Sequence, residues 1–216
     1  MDTRPDLRLR HPFCMMISGP TGSGKTHAAF GLLRNFHSQT TIPAKTINVL
    51  YCYSIWQEQY ANFKSDDVFI QFYEGFCTDF EDQHPTVIVI DDLMEELAKD
   101  KTLVSLFTKA SHHKNISIIF LTQNLFVQSR EMRTVSLNCH YIFLMKNPRD
   151  RLQIQTLARQ MYPQNSNFFM RAYDEAVAKP FSYLIVDMTG SCQDKYRLRQ
   201  RENVKGVSGY IVFEPT

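Results

Sequence analysis

Residues 19–26 read Gly19-Pro20-Thr21-Gly22-Ser23-Gly24-Lys25-Thr26, which fits G-x-x-x-x-G-K-[ST]. The apolar run from Phe13 to Ile17 precedes them and reads as a strand. Ala28, Ala29, Leu32 and Leu33 follow at helical spacing. Strand, glycine-rich loop and helix, in that order, make a phosphate-binding loop. Its glycines let backbone N–H groups close around phosphate oxygens. The helix N-terminus adds its partial positive charge. In this reading Gly19, Pro20, Thr21, Gly22, Ser23 and Gly24 form the cradle. Lys25 reaches the β- and γ-phosphates of ATP, and the Thr26 hydroxyl ligates Mg²⁺. The competing reading is a degenerate loop that is now only a turn.

Working outward, apolar strands alternate with helical stretches. Ile47–Ser54, Val68–Tyr73, Thr86–Ile90, Ile116–Leu121, His140–Met145 and Phe181–Val186 read as strands. Leu103–Ala110, Arg151–Met161 and a stretch from Ser166 to about Lys179, stopped by Pro180, read as helices. Trp56, Tyr60 and Phe63 fall at i, i+4 and i+7, which predicts a short helix with one buried face. The alternation predicts an α/β fold with a mostly parallel sheet flanked by helices. Ligands of such sheets gather at the carboxyl ends of the strands. The chain divides into an N-terminal arm (1–11), a P-loop domain (12–190) and a basic C-terminal extension (191–216).

Two further polar groups fall at strand ends. Thr86–Ile90 runs directly into Asp91-Asp92. Asp91 can hold Mg²⁺ and Asp92 can act as general base, although one of them could instead cap the following helix. Glu95 and Glu96 lie one turn on and read as a solvated face. Gln123 ends the next strand, where an amide can orient water or sense a γ-phosphate, or simply meet solvent. A strand ending in a polar residue after the acidic strand suits the additional-strand (ASCE) class of P-loop NTPases. The later arginines are dispersed, so no kinase lid is evident.

Bulk properties limit the alternatives. The 216 residues are 44% hydrophobic, enough for one sizeable core. A formal net charge of +2 leaves nucleic-acid contact to local patches. The five cysteines are odd in number and dispersed, which argues for reduced thiols over a disulfide framework or zinc site. No apolar run approaches the length of a membrane span, and the polar N-terminus is not a signal peptide. His112-His113-Lys114 reads as a polar turn, with no third residue evident to complete a metal site. Lys195, Arg197, Arg199 and Arg201 alternate, which predicts one charged strand face, either a DNA-facing stripe or an exposed edge guarded by charge.

The stretches GPTGSGKT, YCYSIWQ, VIVIDDLM, SHHKNISIIFLTQNLF, SLNCHYIFLMKNPRD and LARQMYPQNSNFF together resemble the packaging ATPases of Maverick/Polinton elements and adintoviruses. These belong to the FtsK–HerA superfamily, with the poxvirus packaging ATPase. The likeness runs from about Phe13 to about Arg199, and is most specific from His112 to Asp150. It implies a RecA-like ATPase that forms a homo-oligomeric ring and pumps double-stranded DNA into a capsid, with a capsid or portal component as a further partner and no membrane. It implies an intracellular place, in the host nucleus or cytoplasm where virions assemble. It makes Lys25 and Thr26 the Walker A residues, Asp91 and Asp92 the Walker B pair, and Gln123 the sensor. The family draws an arginine finger from the neighbouring subunit; Arg133 is the first choice, then Arg130 and Arg149. Arg130 and Arg133 can alternatively touch DNA phosphates from a pore-facing loop, or be solvated. The rival functions are a nucleoside or nucleotide kinase and a nucleotide-locked assembly module.

Overall fold

A computed structural model describes residues 5–43, 45–80, 84–93, 97, 104–107, 114–126, 129–204 and 207–215. Four strands are buried at every position: β1 (Cys14–Ser18), β4 (Val87–Asp91), β5 (Ser117–Thr122) and β6 (Tyr141–Met145). Burial on both faces explains why each reads as a near-continuous apolar run. β2 (Ile47–Tyr53), β3 (Val68–Glu74), β7 (Tyr183–Asp187), β8 (Leu198–Val204) and β9 (Val207–Phe213) complete one sheet. Its nine strands lie in the order β3-β2-β4-β5-β1-β6-β7-β8-β9. From β3 to β6 all pairings are parallel; β6–β7, β7–β8 and β8–β9 are antiparallel. β5 sits between β1 and β4, so an additional strand does separate the P-loop strand from the acidic one.

The two faces divide the core by period two. Met15 and Ile17 of β1 pack with Ala28, Ala29, Leu32 and Leu33 of α1 (Lys25–Arg34) and with Phe36 of the one-turn α2 (Phe36–Gln39). Cys14 and Met16 face the other way. They share a cluster with α4 (Arg130–Leu137), α5 (Arg151–Met161) and α6 (Ser166–Ala176). A further short helix, α3 (Glu58–Ala61), follows β2. Cys14, Cys52, Cys77 and Cys139 are buried and in no disulfide, as expected of reduced thiols. No helix among the described residues is long and apolar enough to cross a membrane.

The short aromatic helix departs from expectation. Trp56, Tyr60 and Phe63 do not share one buried face, because the helix is a single turn entered from an extended Gln57. Tyr60 is buried, whereas Trp56 is 49% exposed. The segment that carries Arg130 and Arg133 holds α4, whose N-cap Ser129 side chain accepts the Met132 N–H. Of the predicted Leu103–Ala110 helix only 104–107 is described, and it is helical there. His112, His113, Glu95 and Glu96 lie outside the described residues. The arm is tied at Leu9, which exchanges backbone hydrogen bonds with Gln39 and Thr41 at 2.8 and 2.9 Å. In the C-terminal segment, β8 and β9 belong to this same sheet.

The alternating basic tail is neither a stripe nor a guarded edge. Lys195 lies in a 3₁₀ turn (Asp194–Tyr196), and Arg197 precedes β8. Arg199 is 2% exposed and pairs with the buried Asp187 of β7 at 2.9 Å. The strand is internal, flanked by β7 and β9, so a charge on its covered face must find a partner. Arg199→Met should therefore cost about 3–5 kcal/mol in urea unfolding, because it strands a buried carboxylate. Adding Asp187→Leu should recover much of that loss; a double-variant loss equal to the sum of the Arg199→Met and Asp187→Leu losses would show that the pair is not coupled.

Candidate nucleotide site

The P-loop joins β1 to α1 along the carboxyl edge of the parallel strands. Three of its glycines are required by geometry. Gly22 and Gly24 have φ of +77° and +96°, in the region that L side chains avoid. A Cβ at Gly19 would sit 2.5 Å from Cβ of Met145 at the end of β6. Gly24 is the N-cap of α1 and offers no side chain to the first-turn N–H groups. Those donors are left for an anion. Ser23 Oγ is buried in the loop without a hydrogen-bond partner. The Lys25 ammonium donates to the Gly19 and Pro20 carbonyls at 2.8 and 3.2 Å. Burial lowers its pKa, and the nearby charges of Asp91 and Asp92 oppose that shift.

Asp91 is 3% exposed, and one of its oxygens, Oδ2, accepts three hydrogen bonds. The donors are the Tyr51 hydroxyl at 2.6 Å, the Tyr60 hydroxyl at 3.1 Å and Thr26 Oγ1 at 3.2 Å. Burial raises the carboxyl pKa, while Tyr51, Tyr60, Thr26 and the Lys25 charge pull it back. The tyrosines pay the converse cost: burial and the neighbouring carboxylate push both hydroxyls well up. Composition did not reveal this pair. Tyr51 lies inside an apolar run and Tyr60 follows a helical period, so both read as core.

Asp92 leaves the strand in a left-handed turn, φ +57°. Asp tolerates that region better than most residues. The turn ends the alternation of β4 and leaves Asp92 exposed beside buried Asp91. Gln123 follows β5, and its Nε2 donates to Asp92 Oδ1 at 3.2 Å. Thr21, Gly22, Gly24, Lys25, Thr26, Asp91, Asp92 and Gln123 thus line one cavity of about 400 Å³. His27, Gln57, Gln59 and Phe181 complete its walls, none of them singled out in the sequence. Arg133 and Arg130 are exposed on α4 and Arg149 is exposed after β6; none lines this cavity. Among the described residues no group of three or more His, Cys, Asp or Glu is placed to hold a metal ion.

A glycine-bounded loop at a helix N-terminus, facing an acid pair and an amide across the ends of β4 and β5, defines a P-loop ATPase of the additional-strand class. The family model of the Poxvirus A32 protein matches residues 3–147. The chain belongs to that family, whose poxvirus member is a packaging ATPase. The genome packaging NTPase B204 from Sulfolobus turreted icosahedral virus 2 is similar in fold. Its complex with ATP-gammaS is 15% identical and superposes with TM-score 0.53, covering 94% of this chain and 98% of that one. Its complex with AMPPCP is 14% identical with TM-score 0.50, covering 95% and 98%. No match was found among curated proteins.

The hydrogen-bond geometry makes a stability prediction. A hydrogen bond to a buried charge contributes about 1.5–3 kcal/mol. Tyr51→Phe should lose about that much in urea unfolding near neutral pH, and Tyr60→Phe, with the longer bond, should lose less. Both hydroxyls favour the ionised carboxylate. Their loss should therefore be full above the titration of Asp91 and shrink as pH falls through it. A deficit independent of pH would show that the tyrosines act by packing alone.

Proposed function

We propose that the chain is an ATP-driven double-stranded DNA translocase that packages the genome of a virus or virus-like element into a capsid. Membership of the Poxvirus A32 family and the fold shared with a viral packaging NTPase support the packaging role. The observation that carries the hydrolytic reading is the single cavity joining the phosphate loop to Asp92 and Gln123. A loop that only bound nucleotide would have no use for a base and an amide hydrogen-bonded to each other opposite it.

The roles follow from placement. Backbone N–H groups of residues 19–24 and the α1 N-terminus hold the phosphates. Lys25 exchanges the Gly19 and Pro20 carbonyls for β- and γ-phosphate oxygens. Mg²⁺ fits the donor set: Thr26 Oγ1 and the Asp91 carboxylate are hard oxygen ligands already in contact at 3.2 Å. Bound there, the ion would supply charge neutralisation for the phosphates. Asp92 accepts the proton of the attacking water as its oxygen bonds to the γ-phosphorus. The bond from that phosphorus to the bridging oxygen breaks, leaving ADP and phosphate. Gln123 holds Asp92 and the water in line. Arg133 serves a neighbouring subunit's γ-phosphate, which is why it lies outside its own cavity, and full turnover requires the homo-oligomeric ring. Double-stranded DNA passes the ring, and a capsid or portal component receives it.

Purified oligomer should hydrolyse ATP faster when duplex DNA is added; an unchanged rate would remove the translocase reading. Asp92→Asn should lower kcat by about 10²–10⁴-fold while ATP still binds. Arg133→Ala should lower it by about 10³–10⁵-fold. A ring mixing Arg133→Ala subunits with Lys25→Ala subunits should regain turnover at the interfaces where both groups are intact. Absence of that complementation would move the finger to another arginine.

A further inference from the structure

The cavity at the P-loop does not end at the phosphates. His27 and Phe181 line it and also line a second cavity of about 550 Å³ that continues along α1. Gly31, Lys179, Ser182 and Gln200 are among the walls of that second space. The topology explains why the 179–183 loop arrives here. β7 runs antiparallel to β6, with Tyr183 opposite Met145, so the start of β7 lies beside the end of β6. That is the edge on which Gly19 and the P-loop sit.

Three observations point to a ligand in this groove. Phe181 has φ of +61°, a conformation that a bulky side chain adopts only when its surroundings impose it. The residue is 59% exposed, yet its side chain packs on the loop itself: a Cβ at Gly24 would meet Phe181 Cδ1 at 2.7 Å. The second observation is Gly31, in the interior of α1, where glycine costs helix stability relative to alanine. A Cβ built there meets nothing within 4 Å, so no neighbouring backbone or side chain demands the glycine. What it leaves clear is the floor of the groove. The third is direction. Lys25 serves the terminal phosphates, and α1 carries the chain from there past His27 to Gly31, one turn apart on one face.

We propose that the groove between α1 and the 179–183 loop receives the base of a bound nucleoside triphosphate, stacked on the ring of Phe181 over the open face at Gly31. The proposal rests on the P-loop reading of the phosphate site. Aromatic stacking on a base tolerates every base because each has a π-face. The ring therefore adds affinity for the nucleoside without selecting one base strongly.

The test is equilibrium binding of a non-hydrolysable ATP analogue and of inorganic tripolyphosphate to the full chain. Phe181→Leu keeps apolar bulk but removes the ring. It should weaken the ATP analogue by about 5- to 150-fold and leave tripolyphosphate unchanged. Phe181→Tyr should restore affinity. Gly31→Leu approaches the same groove from its floor, should not lower the urea midpoint, and should also weaken only the nucleotide. Unchanged analogue affinity in Phe181→Leu and Gly31→Leu would overturn the proposal. Equal losses for both ligands would also overturn it, since the substitutions would then act through the P-loop. A wild-type chain that binds neither ligand would instead overturn the phosphate-loop reading on which the proposal stands.

Discussion

One buried oxygen, Oδ2 of Asp91, ties the site to the fold. Its three donors come from three separate elements: Thr26 from α1, Tyr51 from β2 and Tyr60 from α3. A carboxylate 3% exposed would be costly without such partners. The requirement reaches back into the strand order. Tyr51 pairs with Val89, two residues before Asp91 on the same face of β4, so its hydroxyl reaches the carboxylate diagonally only while β2 lies beside β4 in this register. Tyr60 is in turn held by rings. It stacks on Phe72 of β3 at 5.3 Å and meets Tyr51 at 5.1 Å and Trp56 at 5.3 Å. The outer strands β2 and β3 thus do more than extend the sheet: they aim the acid at Thr26.

A second constraint acts from the other side. After β6 the sheet reverses, and the antiparallel β7 and β8 are locked by the buried Asp187–Arg199 pair. Asp187 is committed further: Oδ1 accepts from the Thr189 N–H at 3.0 Å and from its hydroxyl at 2.6 Å. The pair lies at the end of β7 remote from Phe181, so it fixes the strand's position while leaving the 179–183 loop at the opposite edge to face the P-loop. The reversal is what lets a late segment of the chain wall a site opened near its start.

The legibility of the chain follows from burial. β1, β4, β5 and β6 are covered on both faces, and an apolar run bounded by polar residues then has one good reading. Their polar ends, Asp91-Asp92 and Gln123, were readable for the same reason. Helix α4 was harder. Only Met132 and Val135 of its eight residues are buried, and its signals were a Ser129 cap and a spacing of three. Arg199 was misread because alternation reports a strand's period but not which face is covered. Tyr51, Tyr60 and Phe181 were missed for a different reason. Their roles depend on contacts between residues 31 to 157 positions apart, and residue type alone does not distinguish a tyrosine that packs from one that also donates.

The site is unevenly enclosed, and the asymmetry bears on how it can work. Thr26 and Asp91 are buried, whereas Asp92 and Gln123 are exposed. Fixed donors and charges stabilise a transition state most when water is kept out. Among the described residues none covers Asp92 and Gln123 on their open side. In the proposed ring that cover would come from the adjacent subunit, together with the arginine proposed to reach the γ-phosphate. Closure of the interface would then strengthen every interaction at the γ-phosphate at once. Hydrolysis would be tied to contact between neighbours, which is the coupling a ring needs if its subunits are to pass DNA along in turn.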